Sequence, residues 1–313
     1  MKRTYRWFSL LLCLLMGMAA LGCVQTEESI DRPKVLVTVF PAYDFVRALA
    51  GDLVTLEMLV SPGNEVHGFE PTFQQLANIR QSDLFVYVGG DSDAWASDLA
   101  ENGGVPNDSL RLMDVVPLIC TETHDHEHGL DHSDAYDEHV WTSPKNAKAI
   151  VEALSEKLME CLPNEAEILS ERTEAYLSEL DALMGAFSET VSNGTLDTVV
   201  FAERFPFRYL CEELELTAHS ALHGCSGNEE VSLNTMQALI DVIKDEGLPV
   251  VFYIEFSDQR IAKILSEATG ATPMLLHSCH NVTKEEFAEG ETYLSLMWDN
   301  VEALGKAVNG WHS

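Results

Sequence analysis

The sequence predicts an α/β fold in which two (βα) lobes, each with a parallel sheet, are joined by one long helix. Short β-branched runs alternate with helical segments from residue 34 to residue 116. This alternation is typical of parallel sheets that are covered by helices. A long helical stretch without proline follows at 165–191, and the alternation of strands and helices resumes at residue 198.

The first lobe is predicted over residues 34–162. It begins with the β-branched run KVLVTVF at 34–40, which Pro41 is expected to end. Further strands are predicted over residues 53–60, 84–88 and 111–116. Helices are predicted over residues 43–50, 73–80 and 144–162, the last beginning at the Ser143-Pro144 start signal.

The centre of the chain is predicted to be a linker helix over residues 163–194. Apolar residues recur there three or four positions apart, and Asn193-Gly194 provides a stop signal. A helix of roughly 25 residues is about 40 Å long. The second lobe follows at 195–313. Its strands are expected over residues 198–201, 249–254 and 274–276, and its helices over 207–214, 233–245, 261–269 and 293–308.

The N-terminal segment is predicted to direct export. Lys2 and Arg3 precede a short apolar run, which indicates a signal peptide over residues 1–22. The letters ALGC resemble the bacterial lipobox, so Cys23 is expected to carry a lipid and residues 23–33 to form a tether. The alternative is an ordinary signal peptide. We therefore expect an exported protein that is held by lipid on the extracytoplasmic face of the cell membrane.

Charge and cysteine content narrow the possible functions. The chain has 51 Asp and Glu against 19 Lys and Arg, a net charge of −32, which would repel a nucleic-acid backbone. Seven cysteines are present, without CxxC spacing, which argues against a structural zinc module. The hydrophobic share of 46% is sufficient for a packed core in each lobe.

Three histidines follow predicted strands. His67 lies in SPGNEVHGFEPT, His139 in DEHVWTSP, and His277 in LLHSCHNV. Open α/β sheets bind ligands beyond the carboxyl ends of their strands, so these imidazoles are expected to converge in a metal cleft between the lobes. A nitrogen-rich site suits zinc. Glu70, three residues beyond His67, is expected to hold the second imidazole nitrogen.

A second histidine-rich feature is the loop 121–138. Its histidines alternate with acidic residues: His124, His126, His128 and His132. Such tracts are compositional metal binders, and we interpret this one as an auxiliary, low-affinity metal loop beside the cleft. The alternative is a solvated spacer.

Several motifs together resemble the zinc/manganese ABC-transporter solute-binding family. They are HGFEPT at His67, DEHVWTSP at His139, the long central helix, and TYLSLMWDNVEAL near the end of the chain. The resemblance extends from about residue 35 to residue 308. It implies two α/β lobes joined by a rigid helix, with metal in the cleft and His67 and His139 as ligands. It also implies a monomeric, non-enzymatic lipoprotein that captures Zn²⁺ and delivers it to an ABC permease.

The second lobe departs from the family pattern. The segment RFPFRY places Arg204 where the family usually has a histidine, and arginine cannot ligate a metal. His277 lies about where the family often has an aspartate. Glu203, His223 and His280 are further candidate ligands, and a water could complete the site. Arg204 is expected to form an ion pair that positions Glu203.

Two other questions stay open at this point. Cys225 and Cys279 are expected to form a disulfide that ties two loops together, with thiolate ligation of zinc as the alternative. Manganese, or a mixture of divalent metals, is the alternative cargo, and the departure at Arg204 keeps it open. A metal-binding surface adhesin is a further alternative. A zinc hydrolase is disfavoured because no HExxH motif occurs.

Overall fold

The structure is a computed structural model that describes residues 32–106, 108–121, 136–222 and 231–310. Several predicted features lie outside these residues. They are the signal peptide, Cys23, the four histidines of the auxiliary loop, His223 and Cys225. Within the described part of the chain, no helix has both the length and the apolar character that a membrane span requires.

The first lobe contains a parallel sheet of four strands with the order β2-β1-β3-β4. The strands are β1 (Lys34–Val37), β2 (Thr55–Met58), β3 (Leu84–Tyr87) and β4 (Ser109–Arg111). The helices between them are α1 (Phe40–Ala50), α2 (Phe73–Arg80) and α3 (Ala94–Glu101). Strand β4 ends earlier than the sequence predicts, because the chain turns into a 3-10 helix at Leu112–Asp114.

The second lobe repeats this arrangement with the order β6-β5-β7-β8. Its strands are β5 (Thr198–Phe201), β6 (Thr217–Ser220), β7 (Val250–Tyr253) and β8 (Thr272–Leu275). The short helix α6 (Arg208–Glu213) and the helices α7 (Leu233–Glu246), α8 (Arg260–Thr269) and α9 (Lys284–Glu289) accompany them. The helix α10 (Tyr293–Val308) follows. The predicted α/β class with two parallel sheets is confirmed.

Two long helices connect the lobes. The helix α4 (Pro144–Cys161) is capped by the Ser143 hydroxyl, which accepts from the backbone N–H of Asn146. The helix α5 (Ala166–Ser192) has 27 residues, and buries one stripe that includes Leu169, Leu180 and Phe187. It packs against α1, α4 and α10. The long helix is therefore part of the body of the protein and not a free spacer.

The two lobes share one apolar core. A single cluster of buried side chains contains Phe45 and Trp141 from the first lobe, and Phe201 and Tyr293 from the second. Buried hydrogen bonds cross the same boundary: Trp141 Nε1–H donates to the carbonyl oxygen of Ser278 (2.8 Å), and the Tyr293 hydroxyl donates to the carbonyl oxygen of Trp141 (2.7 Å). These contacts fix the floor of the cleft between the lobes.

The sequence interpretation differs from the structure in its short elements. Helix α1 begins at Phe40, with Pro41 inside its first turn, where the missing N–H costs nothing. Pro41 therefore lies in a helix, and strand β1 already ends at Val37. The elements α3, β6 and α9, each of eight residues or fewer, were not predicted.

Candidate metal centre

Three histidines meet in the cleft. One ring nitrogen from each of His67, His139 and His280 lies within 4.8 Å of the other two. Their ring centroids are separated by 6.1 Å (His67 to His139) and by 5.1 Å (each of these to His280). His139 and His280 are buried, whereas His67 is partly exposed. Among the described residues, this is the one group of histidine, cysteine and acidic side chains that is arranged to hold a metal ion.

The fold brings these histidines together from the carboxyl ends of both sheets. His67 lies in the loop between β2 and α2, and His139 precedes a 3-10 turn at Val140–Thr142 that leads into α4. His280 lies in the loop between β8 and α9. The site thus occupies the place where open α/β sheets bind ligands.

His67 is held by a carboxylate from its own loop. Its Nδ1 lies 2.9 Å from Oε1 of Glu65, and this hydrogen bond is the main reason that the pKa of Glu65 falls to about 2. The same oxygen accepts from the backbone N–H of Val66 at 3.2 Å. An imidazole that binds a metal through Nε2 carries its proton on Nδ1, where Glu65 accepts it. Glu70 is exposed, so the role predicted for it belongs to Glu65.

His139 is also held by a carboxylate from its own loop. Oδ1 of Asp137 lies 2.9 Å from Nδ1 of His139 and also accepts from the backbone N–H of His139 at 2.8 Å. Asp137 is buried, and its other oxygen lies 3.6 Å from Nε of Arg208. In both cases the carboxylate stands two residues before the histidine. The spacing is visible in the sequence as EVH and DEH, but neither Glu65 nor Asp137 was predicted to hold a histidine.

His280 has a different environment. Its Nε2 is buried and has no hydrogen-bond partner among the described residues. The ring packs 4.8 Å from that of Trp141, measured between centroids. Burial, together with the charge of His139 when protonated, holds the pKa of His280 well below its usual value. His280 is therefore a neutral imidazole, the form that ligates a metal.

His277 does not join the cluster, contrary to the sequence prediction. Its Nδ1 accepts from the backbone N–H of Cys279 at 2.9 Å, and its ring nitrogens lie 3.9 Å from Glu255 and 3.8 Å from Glu286. Asn300 holds its backbone, accepting from the N–H at 2.7 Å and donating to the carbonyl at 2.8 Å. The ring is thus engaged inside the second lobe, and His280, three residues later, reaches the cleft in its place.

Glu203 and Arg204 are both near the cleft but do not form the predicted pair. Glu203 accepts a hydrogen bond from the hydroxyl of Ser257, and burial raises its pKa. Nη1 of Arg204 lies 3.7 Å from Oε1 of Glu65 and 3.1 Å from Nδ1 of His67. Arg204 therefore faces both His67 and the carboxylate of Glu65, and Glu203 stands outside the cluster.

Cys225, the predicted disulfide partner of Cys279, lies outside the described residues, so the disulfide stays a prediction. The thiol of Cys279 is fully buried, and Sγ lies 3.7 Å from the carbonyl oxygen of His277. Burial raises the pKa of this thiol, so the thiolate that would ligate zinc is disfavoured. Cys279 is a core residue of the second lobe.

The cavity at the cluster has a volume of about 30 Å³. Its lining includes Glu65, His67, His139, Arg204, Glu255 and His280. Sites for organic ligands usually measure roughly 300–1,000 Å³. The cavity therefore fits an ion or a water molecule.

Comparisons with known proteins agree with this geometry. The zinc-binding lipoprotein AdcA of Streptococcus pneumoniae is 28% identical over 313 residues, a match that covers 96% of this chain and 61% of AdcA. The chain thus spans about three fifths of the length of AdcA. The high-affinity zinc uptake system protein ZnuA of Bacillus subtilis is 26% identical, with 95% of each chain covered.

A structural superposition and a family model agree with these sequence similarities. The crystal structure of the Zn(II)-bound ZnuA-like domain of Streptococcus pneumoniae AdcA superimposes with a TM-score of 0.73 at 26% identity, covering 89% of this chain and 99% of that domain. The family model described as zinc-uptake complex component A, periplasmic, matches residues 35–307, which include both lobes and all three clustered histidines. The chain therefore belongs to the zinc-uptake complex component A family, whose members are solute-binding uptake components and not enzymes.

Proposed function

We propose that this protein is an extracytoplasmic receptor that captures one Zn²⁺ in the cleft and delivers it to an ABC importer. The observation that carries the proposal is the cluster of three imidazole nitrogens within 4.8 Å of one another. Two of these imidazoles have a carboxylate at Nδ1, which is the usual arrangement behind an imidazole that binds a metal. The relatives named above bind or take up zinc, which supports the same cargo.

The donor atoms favour zinc over manganese. Zinc prefers imidazole and thiolate ligands in a tetrahedral arrangement, whereas manganese prefers carboxylate, carbonyl and water oxygens in an octahedral one. The cluster offers three nitrogens in a cavity of about 30 Å³. This volume leaves little room for the additional waters that a six-coordinate ion would retain.

We extend the proposal to the parts of the chain outside the described residues. Residues 1–22 would direct export, Cys23 would carry the lipid, and residues 23–33 would tether the two lobes to the membrane surface. The name of the AdcA relative as a lipoprotein supports this arrangement. The histidines of the loop 121–138 would form a weak auxiliary site that raises the local zinc concentration near the cleft.

Binding is expected to need only a small movement. Ligand atoms about 2.0–2.1 Å from a tetrahedral zinc lie about 3.3–3.4 Å apart, so nitrogens separated by as much as 4.8 Å must approach by roughly 1.5 Å. The shared core and the buried hydrogen bonds of Trp141 oppose a wide opening of the lobes. Loop adjustments at His67 and His280 are sufficient for this distance.

The test is a titration of the chain from Val24 with Zn²⁺ in competition with Mn²⁺, with and without residues 124–132. We expect one tight zinc equivalent in both forms, which manganese does not displace. Loss of tight binding on deletion of the loop would place the site in the loop and refute the proposal for the cleft. Displacement by equimolar manganese would refute the assignment of zinc as cargo.

A further inference from the structure

We propose that Glu138 supplies the fourth metal ligand, so that the first lobe contributes three ligands and the second lobe one. This inference rests on the proposed function, because it concerns the same zinc ion. Glu138 stands directly before His139 in DEHVWTSP and was not among the candidate ligands from the sequence. The two oxygens of its carboxylate have very different surroundings.

One oxygen of Glu138 is anchored and the other is available. Oε2 accepts from the backbone N–H of Ser92 at 2.8 Å. Oε1 is buried and lies 3.3 Å from Nε2 of His67, without the alignment of a hydrogen bond, and no other described residue donates to it. A buried carboxylate oxygen without a donor is costly unless a cation reaches it.

The distance between these two atoms fits a shared metal. Two ligands at ~2.0–2.1 Å from a tetrahedral zinc are separated by about 3.3–3.4 Å. Oε1 of Glu138 and Nε2 of His67 are 3.3 Å apart. This pair of atoms therefore already has the separation of one edge of the coordination tetrahedron.

The absence of a side chain at Gly90 leaves room for the carboxylate of Glu138. A Cβ at Gly90 would lie 2.3 Å from both Cβ and Oε2 of Glu138, so a larger residue there would displace it. The loop that carries Gly90 is held by the buried Asp93, which accepts from the backbone N–H groups of Val88 (2.7 Å) and Gly89 (2.8 Å). The side chain of Glu138 is thus fixed on a rigid support.

The two acidic residues that line the cavity, Glu65 and Glu255, already have partners. Both oxygens of Glu255 accept from Ser278, one from its backbone N–H at 2.8 Å and the other from its hydroxyl. Glu65 holds the opposite nitrogen of His67 and faces Arg204. Since Arg204 occupies the position where the family pattern expects a histidine, His280 is the one residue of the second lobe in the cluster, as far as the described residues extend. Glu138 fills the coordination position that remains.

The experiment compares Glu138→Gln with Glu65→Gln in the full chain. Both replace a glutamate that contacts His67, but only the first removes a proposed ligand. We expect Glu138→Gln to weaken zinc binding by more than about 100-fold, and Glu65→Gln to weaken it by less, as is usual for a residue behind a ligand. Glu138→Asp keeps the charge but withdraws the oxygens, and we expect it also to weaken binding. Thermal unfolding of each apo variant reports whether it folds.

Two further readouts separate ligation from positioning. In the Co²⁺-loaded protein, the visible absorption spectrum should change with Glu138→Gln and not with Glu65→Gln. A crystal structure of the zinc-loaded wild-type chain should place Oε1 of Glu138 about 2.0–2.2 Å from the metal. Tight zinc binding by the three histidines, with Oε1 beyond about 3 Å or an unchanged cobalt spectrum, would overturn this inference and leave the proposed function intact. A wild-type chain that binds no zinc in the cleft would overturn both.

Discussion

The two lobes have the same strand order but contribute to the cleft in different ways. In the first lobe, His67 and His139 each have a carboxylate two residues earlier, hydrogen-bonded to Nδ1 at 2.9 Å. In the second lobe, His280 packs against Trp141, and Arg204 extends a positive charge to Glu65. One lobe thus orients its imidazoles by hydrogen bonds, and the other positions its imidazole by apolar packing.

The topology of the two sheets determines where the ligands lie, but it does not determine which residues serve as ligands. The order of strands brings the loops after β2, β4 and β8 to one cleft in a parallel arrangement. The carboxylates of the first lobe restrict the orientation of its histidines, which lowers the ordering cost of binding. We therefore expect the first lobe to dominate affinity, and the second to contribute less.

The largest effect should come from His139 in the first lobe. His139→Gln removes a ligand and leaves the buried Asp137 without its imidazole partner, so we expect zinc affinity to fall by well over ~100-fold, beyond the usual cost of losing an outer-shell partner. His219→Gln on β6 is the matched control, since His219 lies outside the cluster. Calorimetric titration with zinc measures both variants. Equal losses in the two variants would remove the basis for assigning the site to the cleft.

The next effect concerns His277 and His280 in the second lobe. We expect His280→Gln to weaken zinc binding by about 100-fold, and His277→Gln to leave the affinity almost unchanged. His277→Gln should instead lower the free energy of unfolding of the apo protein by about 2–4 kcal/mol, because it removes a buried ring beside Glu255 and Cys279. Titration and denaturant unfolding separate the two outcomes. A larger loss of affinity for His277→Gln would restore the ligand predicted from the sequence.

These two histidines also show how far the sequence was informative. HSCH contains two imidazoles, and the strand pattern places both near the cleft. The choice between them depends on the backbone at Cys279, which has a φ of 59°, a left-handed conformation that the sequence does not reveal. The first-lobe ligands were predictable because DEHVWTSP and HGFEPT are specific motifs. The carboxylate partners were not predicted, although each stands two residues before its histidine, because their hydrogen bonds depend on the turn that folds residues 65 and 137 back onto the imidazoles.

The same reasoning applies to the fold. The strands that are buried and β-branched, such as Thr198–Phe201, and the helices with long apolar stripes, such as Tyr293–Val308, were predicted with their observed bounds. Strand β6 was missed, because its sequence TAHS is short, partly exposed and without alternation. Short elements at the edge of a sheet are stabilised by their neighbours, and this tertiary contribution is absent from a local pattern.

A smaller change in zinc affinity is expected at Arg204, and it is a gain instead of a loss. Arg204→Gln removes a positive charge beside His67 and Glu65, so zinc should bind more tightly. A unit charge at ~4 Å costs about 1 kcal/mol in water, which corresponds to a roughly fivefold change in Kd. Titration at low and at high salt should show the gain shrinking as salt screens the charge. Weaker binding in the variant would mean that Arg204 helps to hold the ligands in place.

The smallest effect concerns Glu286, whose carboxylate lies beside the ring of His277. The nearby imidazole of His277, whose Nε2 lies 3.8 Å from Oε1 of Glu286, is the main reason that the pKa of Glu286 falls to about 2 from a usual value of 4.5. A depressed carboxyl pKa stabilises the folded state above the unfolded value, and this contribution is lost as the pH falls from 4.5 through about 2. Glu286→Gln should therefore lower the stability of the apo protein at pH 7, by under about 1 kcal/mol because the group is partly exposed.

The pH dependence of the free energy of unfolding distinguishes the loss of this ion pair from the loss of one negative charge elsewhere on the helix. Gln at position 286 can still serve in the capping box with Thr283, so helix α9 should persist. The difference between wild type and Glu286→Gln should shrink as the pH falls toward 2, measured by denaturant unfolding of the apo protein from pH 7 downward. Glu285→Gln is the matched control, because it removes the same charge from an exposed neighbour on α9. If both variants follow the same pH profile, His277 is not paired with Glu286, and its ring would be free to turn toward the cleft.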